Sequence, residues 1–194
     1  KAGWAGPTDG GYSAIYTNHA GWIAVKDNGE IFCWGAGQYG VHANVCPNAA
    51  CLAQKCVSAG VAAYYPKRIK YVYSGSASWC ILYEDTTVYC WRNGAGGEAN
   101  PPGDGWLTAN TDHSGFAFLN RDGSIWSGAG GGANTLSSIG YPTDGNWTAI
   151  YAAGTDYGFA ALSTTGQIYS WGCVAACGLV SGYQFDNPNH NYAL

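Results

Sequence analysis

Charged side chains are scarce in this chain. Asp, Glu, Lys and Arg make up 10% of its 194 residues, and the net charge is −4. Proteins that hold nucleic acid neutralise phosphates with clustered Lys and Arg. The basic cluster here is Lys67-Arg68-Ile69-Lys70, which reads as a solvated strand edge, so no nucleic-acid partner is expected. Methionine is absent, which fits neither a membrane helix bundle nor a calmodulin-like surface. No segment approaches the roughly 18 consecutive apolar residues of a transmembrane helix, and no membrane insertion is expected. Also missing are the paired Cys-x-x-Cys steps of a zinc ribbon and any recognisable Ser or Cys nucleophile motif beside a His. These gaps lead to the expectation of a protein that is not an enzyme and carries neither metal nor cofactor.

Aromatics and glycine are abundant. Aromatics reach 15%, with nine Trp and fifteen Tyr, and there are thirty glycines. That mixture suits short twisted strands and tight turns, not helices. The eight cysteines are Cys33, Cys46, Cys51, Cys56, Cys80, Cys90, Cys173 and Cys177. An even, high count points to disulfides and an oxidising compartment, so the expected location is extracellular. The spacing leaves the pairing open. Cys80 and Cys90 sit on the two arms of one hairpin, but a two-residue turn would put them on opposite faces, which counts against a bond between them. The chain begins at Lys1, as expected of a processed mature end or an excised segment. Asn146-Trp147-Thr148 is a glycosylation sequon, with Asn146 as the acceptor.

Four segments share one pattern: Gly21-Trp22-Ile23-Ala24-Val25, Ser78-Trp79-Cys80-Ile81-Leu82, Gly115-Phe116-Ala117-Phe118-Leu119 and Gly158-Phe159-Ala160-Ala161-Leu162. The aromatics lie 57, 37 and 43 residues apart, yet a β-branched residue always follows nine positions later, at Ile31, Val88, Ile125 and Ile168. Length is thus free between units and fixed within them, as in a repeat built on a hairpin. Asp27-Asn28-Gly29 reads as a type I′ turn, with Asn-Gly accepting the positive φ that such a turn needs. Arg121-Asp122-Gly123 and Thr164-Thr165-Gly166 repeat it, whereas Glu84-Asp85-Thr86-Thr87 lacks the glycine and leaves that register least determined. A first strand precedes each hairpin, and Pro-x-Asp-Gly leads into it at Pro7-Thr8-Asp9-Gly10, Pro102-Gly103-Asp104-Gly105 and Pro142-Thr143-Asp144-Gly145.

The chain therefore divides into units at about 1–40, 66–100, 101–140 and 141–177, an insertion at 41–65 and a tail at 178–194. Within the insertion, 48–57 is Ala-rich and holds neither Gly nor Pro. It is expected to form about two and a half helical turns, too few to stand alone, stapled by Cys46, Cys51 and Cys56. A three-stranded unit cannot bury its aromatics alone, so neighbouring units must stack. The fold class is all-β: a β-propeller-like array of four short antiparallel blades, closed or open.

Val25-Lys26-Asp27-Asn28-Gly29-Glu30-Ile31-Phe32-Cys33-Trp34-Gly35-Ala36-Gly37-Gln38-Tyr39-Gly40 resembles the repeat of the regulator of chromosome condensation family, and Gly166 to Gly172 follows it. Tectonin-type lectins and a propeller-shaped β-lactamase inhibitor protein share the look. The resemblance covers most of the chain outside the insertion and tail, and it implies a β-propeller with one repeat per blade. Propellers of that family typically close with more blades than four. Either this is a small ring or an open part of a longer array.

No residue set stands out as catalytic. His19 and His113 fall in equivalent turns, and Asp9, Asp27, Asp104, Asp122 and Asp144 fall where Asp serves the turn itself. Trp34, Trp91 and Trp171 recur at one position and read as blade packing. Trp4, Trp106, Tyr141, Trp147 and Tyr183 lie nearer loops and are the candidates for exposed ligand contacts. The leading expectation is a secreted structural or adhesive module that self-associates or binds other extracellular proteins. The alternative is a glycan-binding lectin with one shallow site per blade.

Overall fold

The computed structural model describes residues 7–19, 21–35, 54–55, 67–76, 78–92, 100–112, 115–129, 141–153, 158–172 and 184–185. Every regular element among them is a strand, and the strands form four antiparallel sheets. Blade 1 contains β1 (Tyr12–Thr17), β2 (Gly21–Lys26), β3 (Ile31–Gly35) and β4 (Gln54–Lys55). Blade 2 contains β5 (Ile69–Ser74), β6 (Ser78–Tyr83) and β7 (Val88–Arg92); blade 3 contains β8 (Trp106–Thr111), β9 (Gly115–Asn120) and β10 (Ile125–Ala129). Blade 4 contains β11 (Trp147–Ala152), β12 (Phe159–Ser163), β13 (Ile168–Trp171) and β14 (Gln184–Phe185). The all-β reading and the four hairpin-centred blades are borne out.

The nine-residue offset has a direct structural meaning. In every hairpin the residue three after the aromatic pairs with the β-branched residue: Val25↔Ile31, Leu82↔Val88, Leu119↔Ile125 and Leu162↔Ile168. The turn between them differs from expectation. Gly29 N donates to Lys26 O at 2.9 Å while Lys26 N donates to Glu30 O at 2.8 Å. Gly29 has φ 83°, and Asn28 is not among the residues of positive φ. That is a type I turn closed by a left-handed bulge residue, not type I′. Asn-Gly serves both, and the ladder decides between them. Thr86 takes the left-handed position in blade 2 with φ 67°, so the unit without the glycine keeps the same register.

The bulged turn also corrects the expectation against a Cys80–Cys90 bond. It places Cys80 directly opposite Cys90 on one face, with Cα atoms 4.1 Å apart and a disulfide between them. Cys90 N turns outward to Asn100 Oδ1 at 2.8 Å, so the two cysteines form a non-hydrogen-bonded pair, the closer kind in an antiparallel ladder. Cys33 is disulfide-bonded as well.

The helical expectation for 48–57 is overturned where that segment is described. Gln54 and Lys55 are a strand paired with Cys33 and Phe32. The open edge of β3 supplies backbone partners, which a helix this short would have to replace unaided. Cys46, Cys51, Cys56, Cys173 and Cys177 lie outside the described residues.

Successive blades stack through apolar cores. Ile23, Val25, Ile31 and Cys33 of blade 1 pack on Val72, Trp79, Ile81 and Trp91 of blade 2. Cys80, Leu82, Val88 and Cys90 then pack on Trp106, Ala109, Phe116 and Phe118 of blade 3. Ala117, Leu119 and Ile125 pack on Trp147, Ile150, Phe159, Ala161 and Trp171 of blade 4. Each blade thus turns one set of residues to the blade before it and the alternate set to the blade after, as the two-residue period of a strand requires. Among the described residues three such cores join the four blades, and none joins the fourth to the first.

Candidate functional site

The first strands β1, β5, β8 and β11 lie side by side along the inner side of the array. One register position on them faces the preceding blade: Ile15↔Ala24, Val72↔Ile81, Ala109↔Phe118 and Ile150↔Ala161. Val72, Ala109 and Ile150 are 2%, 0% and 4% exposed, whereas Ile15 is 63% exposed. Blade 1 has no described neighbour on that side. The next position faces the following blade. There Tyr16 and Tyr73 are half-buried, Asn110 donates to Ile150 O at 2.7 Å, and Tyr151, on the last blade, is 55% exposed.

Other positions repeat this asymmetry. Trp79, Phe116 and Phe159 are buried, but their counterpart Trp22 is partly open and stacks on Trp34 with centroids 5.9 Å apart. Leu162 and Ile168 are half-exposed, although the equivalent residues of the other blades are buried. On the face of blade 1 that has no described neighbour, an apolar concavity of about 470 Å³ is lined by Pro7, Tyr12, Ile15, Ala24 and Trp34 among others, of which Ala24 and Trp34 are buried.

The rim of that face is charged. Lys26 Nζ lies 2.7 Å from Asp9 Oδ2, and the Tyr12 hydroxyl donates to Asp9 Oδ1 at 2.7 Å. Those two hydrogen bonds, Lys26 first, hold the Asp9 carboxyl below the usual carboxylate range. Burial, and then the bond to Asp9, push the Tyr12 hydroxyl up to about 12.

A second open surface is a groove of about 400 Å³ along the inner strands. It is lined by Tyr16, Thr17, Tyr71, Tyr73, Ser74 and Asn110, with other residues behind them. Tyr71 is exposed, and its ring centre is 4.7 Å from that of Tyr73 and 5.4 Å from that of Tyr16. Ser74 Oγ bridges the blades by donating to Thr17 O at 2.8 Å. The groove combines aromatic faces with hydroxyl and amide groups.

The ligand candidates from sequence fall elsewhere. Trp106 and Trp147 were expected at the surface but are 4% and 6% exposed. They begin the inner strands of blades 3 and 4, where their rings enter the cores beneath the preceding blade. Proximity to a loop in sequence is not exposure. Tyr141 is half-buried against the third core. Trp4 and Tyr183, like His42, His113 and His190, lie outside the described residues. His19 is exposed in its turn. Asp144 Oδ1 accepts from Trp147 Nε1 at 3.2 Å, a use within its own turn. Asn146 is exposed, with its backbone engaged by Gly123 and Thr164. Sequence reasoning passed over Ile15 and Tyr151. Aligning the units by register and asking which blade each position meets would have singled them out.

No family model and no curated protein sequence matches the chain. Solved structures do match. Human WBSCR16 aligns with a TM-score of 0.56 and 18% identity over 84% of this chain and 48% of its own. The CRINKLY WD40 ectodomain of the Arabidopsis thaliana receptor kinase ACR4 gives 0.55 and 16% over 83% and 50%. Prp20p of Saccharomyces cerevisiae, a structure described with its binding properties to Gsp1p and histones, gives 0.55 and 15% over 86% and 47%. At these identities the likeness concerns the fold. The repeat β-propeller resemblance read from the sequence is borne out, and the chain spans about half the length of these structures.

Proposed function

We propose that this chain is a secreted, non-catalytic β-propeller module with a structural or adhesive role, acting as a protomer of a larger extracellular assembly. The observation that carries the reading is the contrast at equivalent register positions. Ile15 is exposed where Val72, Ala109 and Ile150 are buried by the preceding blade, and Tyr151 is exposed where Tyr16 and Tyr73 are half-buried. Apolar faces of this kind mark contact surfaces. The Cys80–Cys90 disulfide fits an oxidising location. Among the structural neighbours, an ectodomain and a protein with described protein partners use the same fold. Asn146, exposed within its sequon, is the proposed glycosylation site.

Hydroxyl-radical footprinting of the two end faces tests this reading. In native material Ile15, Trp22 and Tyr151 are expected to be protected relative to the dilute purified chain. Equal labelling in the two preparations would refute it.

The inner groove favours a second reading, that of glycan binding at one site along the inner strands. Tyr71 offers an exposed ring beside Thr17, Ser74 and Asn110, and sugars stack on such faces while amides and hydroxyls hold their hydroxyls. A glycan array in oxidising buffer, with and without Ca²⁺, tests it. Signal lost in Tyr71→Ala supports the reading, and no signal for the parent chain removes it.

A further inference from the structure

We infer that the partner of the two end faces is a second copy of this chain, docked head to tail with its blade 1 on blade 4 of the first. This rests on the reading of the end faces as contact surfaces, and it names their occupant. Two independent features of the internal junctions carry it.

The first is the fit of turn against lead-in loop. At the first and third junctions the left-handed glycine of the hairpin lies against the start of the next blade. A Cβ on Gly29 would sit 2.6 Å from Lys67 O, and one on Gly123 would sit 3.1 Å from Asn146 N. Gly166, at φ 83°, has nothing within 4 Å, and neither has Gly10 or Gly11 at the start of blade 1. The two halves of a further junction are both open.

The second is apolar continuity. Tyr151, Leu162 and Ile168 occupy the positions that elsewhere meet the following blade, and Ile15, Trp22 and Trp34 occupy those that meet the preceding one. The docked pair repeats an existing blade junction rather than requiring a new kind of surface. Such a contact is heterologous, so it closes a ring if the rotation matches and otherwise propagates as a filament.

Sedimentation velocity in non-reducing buffer over a range of concentrations tests the inference, using Ile15→Glu for the head and Tyr151→Glu for the tail. Both positions are exposed in the single chain, so both variants are expected to keep the parent circular dichroism. The parent is expected at twice the 20.3 kDa of one chain or at higher multiples. Each variant alone is expected to be monomeric, and an equimolar mixture is expected to recover a dimer, because each supplies the face the other has lost. A parent that stays at 20.3 kDa at high concentration overturns the inference, as does a mixture of folded variants that stays monomeric. If the end faces are protected in native material while the purified parent remains monomeric, the contact-surface reading survives and the second copy is excluded.

Discussion

Replacing one isoleucine in each of two equivalent places should have very unequal consequences for a single chain. Ile150 is buried in the third junction against Leu119 and Phe159 of the same core, whereas Ile15 holds the same register position on blade 1 and is exposed. Truncating a buried Ile to Ala removes its transfer free energy and leaves a cavity, together about 2–5 kcal/mol. Taking about 3 kcal/mol for Ile150→Ala, and a shift of about 2–4 °C per kcal/mol for a chain of this size, Tm should fall by about 6–12 °C. Ile15→Ala should stay within about 0.5 kcal/mol of the parent, as surface substitutions do. The assay is thermal unfolding followed by Trp fluorescence, with the protein dilute enough to be monomeric. Equal losses in the two variants would refute the reasoning, since they would mean that Ile15 is covered within one chain.

The same logic extends to the turns. Gly166→Ala should cost about 1 kcal/mol for the left-handed backbone alone. Gly29→Ala should cost more, about 2 kcal/mol or above, because its Cβ also meets Lys67 O; denaturation midpoints of the two variants check the order. Replacing Cys80 and Cys90 together by Ala should lower stability by about 2–3 kcal/mol, the loop-closure entropy of a short cross-link, measured by guanidinium unfolding against the oxidised parent. The Tyr12 hydroxyl is pushed up to about 12 in the folded chain, against about 10 when unfolded. Its contribution is therefore complete below pH 10 and is lost as pH rises from 10 to 12, where the unfolded chain releases the proton first. Tyr12→Phe should flatten that part of the stability profile, and ultraviolet titration of the folded parent should show a late tyrosine that the variant lacks.

The blades were legible because a hairpin leaves a rigid trace in sequence. Trp22 and Ile31, or Phe116 and Ile125, keep their spacing through the ladder whatever the loops between units do. The turn class was less legible, since Asn28-Gly29 suits both a type I′ turn and a bulged type I turn, and the choice lies in hydrogen bonds of the flanking strands. That choice also decided the Cys80–Cys90 bond, because one bulge residue moves both sulfurs to a common face. Thr86 in the glycine's place was unreadable as a turn residue, yet Gly105 N on its hydroxyl at 2.9 Å and Trp106 N on its carbonyl at 3.2 Å tie it to the following blade. Exposure was the least legible property. Trp106 and Trp147 follow glycine-rich loops but enter the cores, whereas Ile15 and Tyr151 look like interior strand residues and are open only because they stand on the end blades.

Cryo-electron microscopy of the parent chain at high concentration decides whether the array continues past its own ends. Blade 4 of one copy should adjoin blade 1 of the next, with Tyr151 and Leu162 against Ile15 and Trp22, as a ring or a filament. Single copies in which blades 1 and 4 pack on each other, or in which both faces remain bare, would contradict it.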